Sequence, residues 1–359
     1  MANQDQMKRS NNNNKATIVD VAIAASTSTA TASRVLSGSN YPVGTETRKR
    51  VMDAAKKVGY TPNLIAKMLR TNTNDAIGII TPTFQNPFYI EIIQGISERA
   101  ISCGYAPLAF SSQRNPILER TLIEQMLRKR IMGLMIASVD TTSKSIQHYM
   151  LKGGKVCLFE SNFEDLDSYI LAKTDMLESG RIAMKYLLSM GHRNIAIATT
   201  PLKKQTRAQT LMGCRIALNE SKLDLLEEDI IIAQYEKELK DGLYEFEIGK
   251  EMVRDLLNRK KKYSAILAIN DLIACGIVNK LKIEGIDVPN EISVIGLDDI
   301  PLSSMITPAL TTVHMPSYVL GQKACQMMVD ALENDKQTIG LSLSIHSKLV
   351  IRDSVIKIS

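Results

Sequence analysis

One arginine set among small and hydroxylated residues is the first chemical signal in this 359-residue chain. Residues 17–36 read TIVDVAIAASTSTATASRVL. Ile18, Val21, Ala22 and Ala25 fall at i, i+3, i+4 and i+7, one face of a helix, with Thr17 and Asp20 placed as an N-cap and its partner three residues on. After the polar break at Ser26 and Thr27, Ser28 is placed to cap a second helix. Its Ala32, Val35 and Leu36 point inward, while Ala30, Ser33 and Arg34 share the outer face. Such a face suits a DNA groove. Small side chains allow close approach to base edges, hydroxyls bond phosphates, and arginine makes a bidentate contact with guanine. A small helical hairpin inside a larger core is the alternative that this stretch leaves open.

A second set of chemical candidates lies further along. Asp271 sits at a strand-to-helix junction, where a carboxylate either caps the helix or grips ligand hydroxyls. Phe88, Tyr89 and Tyr244 can wall a crevice and Glu160 ends a strand beside it, although each is equally suited to core packing. Lys203, Lys204 and Arg207 form a basic loop, either solvated surface or a contact for an anionic ligand. No catalytic constellation competes. The four histidines, His148, His192, His314 and His346, are dispersed, and neither G-x-x-x-x-G-K-[ST] nor a strand-linked G-x-G-x-x-G occurs. His192, after Gly191 and just before a strand, reads as a turn residue. The five cysteines are scattered without close pairs, which argues for a reducing compartment and against a disulfide framework or a zinc site. Neither a metal nor a cofactor is expected.

The elements that must position these residues follow from pattern and charge. The chain carries 44 Lys+Arg against 38 Asp+Glu, a net of +6. Residues 1–75 hold 11 basic and 5 acidic side chains, so the whole excess sits on the N-terminal fifth and the remainder is neutral. That asymmetry is the footprint of a nucleic-acid-binding module joined to a neutral domain. No apolar segment approaches the roughly 18 residues a membrane span needs. Residues 1–14 read as a polar, disordered tail without a signal region, so a cytoplasmic location is expected. A third helix is predicted over 45–58, closed by Gly59. Residues 63–70, after Pro62, are too few to hold a helix alone in water.

From Ala76 onward short apolar runs alternate with helical periodicity. Strands are predicted at 76–81, 106–110, 133–137, 155–160, 195–199, 230–233, 265–269 and 292–297. Helices follow at 87–103, 177–190 and 270–284, with a long one at 317–333 and final strands within 341–351. This βαβ alternation predicts parallel sheets covered by helices on both faces, and eight strands in two groups suggest two similar lobes.

Taken together, these motifs resemble the lactose/galactose repressor (LacI/GalR) family of bacterial transcriptional regulators. The resemblance runs through Arg34-Val-Leu-Ser-Gly, Thr47-Arg48, Gly59-Tyr60-Thr-Pro62-Asn63 and Leu69-Arg70-Thr71, then Asn86-Pro87-Phe88, Gly191-His192-Arg193, Asn270-Asp271 and Gly296-Leu-Asp298-Asp299. It implies a small all-α helix-turn-helix headpiece plus an α/β core of two doubly wound parallel-sheet lobes, like periplasmic sugar-binding proteins, crossed about three times by the chain. Thr29, Ala30 and Arg34 then match base-contacting positions, and Thr17, Ser28, Thr31 and Ser33 phosphate-contacting ones. Residues 63–75 match the hinge helix and linker, in which Leu69 wedges into the minor groove with Ala66 beside it. An apolar wedge of this kind unstacks a base step and sustains a kink. The match tips Asp271 toward effector binding, with Phe88, Tyr89, Glu160, Arg207, Thr210 and Tyr244 around it.

Two departures stand out. Ser26 replaces the usual turn glycine, and Ala24, Thr27 and Ala32 replace bulky apolar residues, which predicts a thin headpiece core. Thr210 stands where many relatives carry an effector-binding arginine, so the effector is expected to rely on neutral contacts or on Arg207. The division expected is a tail over 1–14, a DNA-binding domain over 15–62, a hinge over 63–75 and a core over 76–359. Within the core, lobe 1 takes about 76–172 and 302–333, and lobe 2 about 173–301 and 334–359. The reading is a sequence-specific repressor controlled by a small molecule, a sugar or sugar derivative favoured. Its expected partners are double-stranded operator DNA, the effector and a second copy of itself, a tetramer also being open, and no membrane. The contrasting reading is a small-molecule-binding protein or sugar enzyme with a non-functional headpiece.

Overall fold

A computed structural model describes residues 16–36, 41–60, 74–160, 163, 169–202, 204–237, 239, 243–334 and 341–358. The tail, the hinge segment with Ala66 and Leu69, and Lys203 lie outside them. The chain divides into two compact units at Thr73 and Asn74.

The first unit holds α1 (Ile18–Ala24), α2 (Thr29–Leu36) and α3 (Thr45–Lys57). Thr17 and Asp20 close the expected capping box: the Thr17 amide donates to Asp20 Oδ2 at 2.7 Å and the Asp20 amide to Thr17 Oγ1 at 3.4 Å. The Thr31 amide donates to Ser28 Oγ at 3.1 Å, so Ser28 caps α2. Between the two helices Ser26 holds φ at +48°, the left-handed conformation that glycine adopts without strain. Val21, Ala22, Ala25, Ala32, Val35, Val51, Ala54 and Ala55 make the core, in which no buried side chain is larger than valine. Of the three positions expected to thin it, Ala32 is buried in the core, Thr27 is half-buried, and Ala24 is exposed and not a core position.

The second unit contains two six-stranded sheets. The first has the order β11-β5-β4-β3-β1-β2, from β1 (Asn74–Thr81), β2 (Ala106–Ser111), β3 (Ile131–Ile136), β4 (Lys155–Phe159), β5 (Ile170–Thr174) and β11 (Leu341–Ile345), all parallel. The second has the order β12-β10-β9-β8-β6-β7, from β6 (Ile195–Thr199), β7 (Ile230–Ile232), β8 (Ala265–Ala268), β9 (Ser293–Asp298), β10 (Thr311–His314) and β12 (Lys348–Val350). Only β12 runs antiparallel, against β10. Helices α4 (Pro87–Ser102), α5 (Pro116–Arg128), α6 (Lys144–Leu151) and α11 (Ser317–Asn334) accompany the first sheet. The second is accompanied by α7 (Met176–Ser189), α8 (Gln205–Glu220), α9 (Tyr244–Asn258) and α10 (Asp271–Ile283). Strands such as Ile195–Thr199 are buried throughout because both faces are covered, and only Thr199 of that strand's five residues is polar. On α7 and α8, Gly180 and Gly213 each meet the partner helix's backbone where a Cβ would stand, so these helices approach closely.

The expected lobe boundaries need one correction, at the C-terminus. β10 pairs with β9 of the second sheet, not with lobe 1, and β11 pairs with β5 of the first, not with lobe 2. The chain therefore crosses three times, near Asp175, near Pro316 and between Ile345 and Lys348. The physical reason is that α11 packs on α4 while its two flanking strands join different sheets. Short runs such as TTVH and LSLSI carry no pattern that names their neighbour, and both β5 and β10 escaped the predicted strands.

Candidate DNA-binding face and ligand cleft

On the headpiece, α2 is the presenting element, because its Ala32 and Val35 are buried and fix its rotation. Thr29, Ala30 and Arg34 are exposed, whereas Thr31 and Ser33 are half-buried at its flank. The Ser28 and Thr31 hydroxyls lie 2.9 Å apart. Thr17 and Ser28 stand exposed at the starts of α1 and α2, where helix N-termini favour phosphate. The Arg34 guanidinium carbon lies 4.1 Å from the centre of the Tyr41 ring. Tyr41, downstream of α2, has no periodic signal that would have singled it out.

In the core, a cavity of about 690 Å³ opens at the carboxyl ends of the strands of both sheets, the usual ligand position in open α/β folds. The first lobe contributes Tyr89, Arg114, Ser138, Asp140, Phe159, Glu160 and Phe163, and the second Lys204, Gln205, Thr206, Gln234, Tyr235 and Glu236. Two of the expected effector residues line it, Tyr89 and Glu160. Glu160 stands just past β4 at φ +57°. Burial pushes its carboxyl upward while Arg207 and Lys204 oppose that shift. No hydrogen bond joins its side chain to another described residue.

The other expected residues stand elsewhere. Phe88 is buried in the first-lobe core, edge-on to Tyr89 with ring centres 5.3 Å apart. Tyr244 is fully buried behind the wall, bonded to the Tyr235 carbonyl, with the Arg114 guanidinium 4.9 Å from its ring centre. Thr210 is fully buried against Gly180, its hydroxyl donating to the Thr206 carbonyl at 3.0 Å. Arg207 donates from Nε to Thr200 Oγ1 at 3.0 Å, outside the cavity lining but close enough to bias Glu160.

Asp271 carries the clearest correction. It is fully buried, and its carboxylate is saturated by the protein. Oδ2 accepts from the Asp299 amide at 2.8 Å, the Ile300 amide at 3.1 Å and Ser303 Oγ at 2.5 Å, and Oδ1 accepts from Thr312 Oγ1 at 2.6 Å. Burial pushes its pKa up to about 7 against these four donors. The helix cap is Asn270, whose side chain accepts from the Ile273 amide at 2.9 Å. Asp271 thus does not line the cavity and is not the cap; it pins the turn after β9. That turn carries Asp298 and Asp299 at φ +122° and +64°. Asp298 is pushed well above the ordinary carboxyl range by burial, with Asp271 and Glu160 adding to the shift and Arg207 opposing it. Asp298 does not line the cavity.

Arg114, Lys204 and Glu236 complete the cleft's charges. Arg114 Nη1 pairs with Glu236 at 2.9 Å, Nη2 pairs with Glu245, and Lys204 Nζ pairs with Glu236 at 3.0 Å. His192 is no ligand: its ring is buried between Ser264 Oγ at 2.9 Å and the Ile356 carbonyl at 3.1 Å.

Residues 17–63 match the family described as bacterial regulatory proteins, lacI family, and residues 184–355 match a periplasmic binding protein-like domain. Among curated proteins the HTH-type transcriptional repressor PurR of Histophilus somni (strain 129Pt) is 31% identical over 351 residues, covering 95% of this chain and 99% of the relative. PurR of Actinobacillus pleuropneumoniae serotype 3 (strain JL03) is 30% identical over 342 residues, covering 95% and 98%. The chain belongs to the lacI family of bacterial regulatory proteins. Its fold is shared by the lac repressor dimer bound to operator and the anti-inducer ONPF, with TM-score 0.80, 23% identity, and 95% and 99% of the two chains covered. It is shared too by the regulator CelR in complex with cellobiose, with TM-score 0.70, 24% identity, and 95% and 100% covered. The protein is accordingly a DNA-binding transcriptional repressor, not an enzyme.

Proposed function

We propose that this repressor answers to a neutral, polyhydroxylated effector, a sugar or close derivative, held in the cleft between its lobes. One observation carries the reading: the cations that line the cleft are engaged, and the lining carboxyl of Glu160 has no side-chain hydrogen bond to another described residue. Arg114 and Lys204 already serve Glu236 and Glu245, and Asp140 is held by Arg120 at 2.6 Å. That leaves the carboxyl oxygens of Glu160 open to hydrogen bonds from ligand hydroxyls. Tyr89, Phe159 and Phe163 offer apolar faces for a sugar ring. An anionic effector would have to displace Glu236 from both cations. The solved relatives titled as complexes with cellobiose and with ribose support a sugar.

On the DNA side, Thr29, Ala30 and Arg34 read bases, and Thr17, Ser28, Thr31 and Ser33 hold phosphates. The minor-groove roles of Ala66 and Leu69 rest on the resemblance alone. No described helix is long and apolar enough to cross a membrane; the repressor works in the cytoplasm, where its operator lies. A thermal-shift screen of neutral and phosphorylated sugars, followed by operator titration with each hit, tests the effector class, since a ligand stabilises by RT ln(1+[L]/Kd). Neutral sugars should raise the melting temperature and alter operator affinity. Stabilisation by phosphorylated sugars alone would refute the assignment.

A further inference from the structure

The cleft contains an ion-paired bridge that the effector reading does not use. Arg114 stands on the loop between β2 and α5 of the first lobe, yet it pairs with two carboxylates of the second, Glu236 after β7 and Glu245 on α9. Its side chain is only 4% exposed, and its guanidinium lies against the Tyr244 ring. Two neighbours cross the same gap: Gln85 Nε2 donates to the Leu239 carbonyl at 3.3 Å, and Asn86 Nδ2 to Glu245 Oε1 at 3.5 Å. Lys204 steadies Glu236 from within the second lobe. This guanidinium faces two carboxylates, and Glu245 Oε2 is buried without a hydrogen-bond partner among the described residues. A buried pair of this kind is costly to break from one side, because the partner left behind is an uncompensated buried charge.

We infer that Arg114 is the positioning residue that holds the two lobes together in the ligand-free repressor, and that it couples occupancy of the cleft to operator binding. The inference rests on the reading that the cleft receives the effector, because Arg114 and Glu236 line the cavity as well as bridging it. A bound molecule touches the same two side chains that fix the lobes. Any rearrangement it imposes on Arg114 or Glu236 passes to the lobe arrangement without an intervening element. Glu236 and Glu245 both sit on the second lobe, so losing Arg114 removes both of these ion pairs at once, whereas losing Glu236 leaves the pair with Glu245 in place.

The test needs no identified ligand. Spin labels at Leu151→Cys on α6 and Ile283→Cys on α10, both exposed, report the distance between lobes in the full-length chain. The ligand-free parent should give one short distance. Arg114→Gln should add a longer one, Arg114→Lys should restore most of the short one, and Glu236→Gln should fall between. Operator affinity of unliganded Arg114→Gln should change about tenfold, within the usual range of allosteric coupling. An unchanged distance distribution in Arg114→Gln would overturn the bridge. A changed distance with unchanged operator affinity would overturn the coupling. If Arg114→Gln fails to fold, Arg114→Lys against Glu236→Gln carries the same comparison, and equal distances in those two would also refute the bridge. A failed sugar screen with these distance and affinity changes intact would overturn the effector class only.

Discussion

The guanidinium of Arg34 stacks on the ring of Tyr41, with 4.1 Å from its central carbon to the ring centre. Stacking of this kind contributes about 0.5–1 kcal/mol at an exposed site and limits the rotamers of a long side chain. Arg34→Ala should lower discrimination between operator and random DNA by about 1–3 kcal/mol, the cost of one bidentate base contact. Tyr41→Leu removes the ring and should lose a smaller part of the discrimination. Titrations on both DNAs at one salt concentration decide it, and equal losses on the two for Arg34→Ala would remove Arg34 from base reading.

Ser26 offers a stability test of the headpiece. A side chain in the left-handed region costs roughly 1–2 kcal/mol, and glycine returns about half of that through its greater unfolded-state freedom. Ser26→Gly should therefore stabilise the headpiece by about 0.5–1 kcal/mol. Slower hydrogen exchange of the α1 and α2 amides would register the gain, and unchanged protection would contradict it.

Asp271 should behave as a structural carboxylate. Removing it in Asp271→Ala leaves two backbone amides and two hydroxyls without their acceptor. At roughly 1–3 kcal/mol per buried group left unpaired, the loss should reach about 3 kcal/mol or more. Its pH signature has a definite sign. Its pKa is about 7 in the folded chain against an ordinary 3.8, so between those values the folded state holds a proton the unfolded state has released. Its contribution to stability is therefore full below about pH 4, falls as pH rises toward 7 and is then lost. Denaturant titrations across that window should show a shallower decline in Asp271→Asn than in the parent.

Removal of residues 1–73 should leave a folded core that still binds effector and has no affinity for a specific operator, because the two compact units have separate apolar cores. Retained operator specificity in the truncated chain, measured by fluorescence anisotropy, would break the division of labour.

The sequence by itself determined whatever depends on near neighbours. Thr17 with Asp20, and Ser28 with Thr31, lie within one helical turn of each other, so capping and the outward face of α2 were legible from spacing. The βαβ alternation exposed the two-lobe core because buried parallel strands must be apolar on both faces. Glu160 and Tyr89 were found at the wall because strand ends and helix starts are visible locally. Tertiary structure alone decided what depends on residues distant in the chain. Asp271 looked like a ligand residue until its acceptors proved to be filled from residues 28 to 41 positions away. Arg114 sits in an unremarkable polar turn, and its partners lie 122 and 131 residues further on. The sheet to which β10 and β11 belong was likewise undetermined, since a short strand's pattern fixes which face is buried and not which neighbour it will pair with.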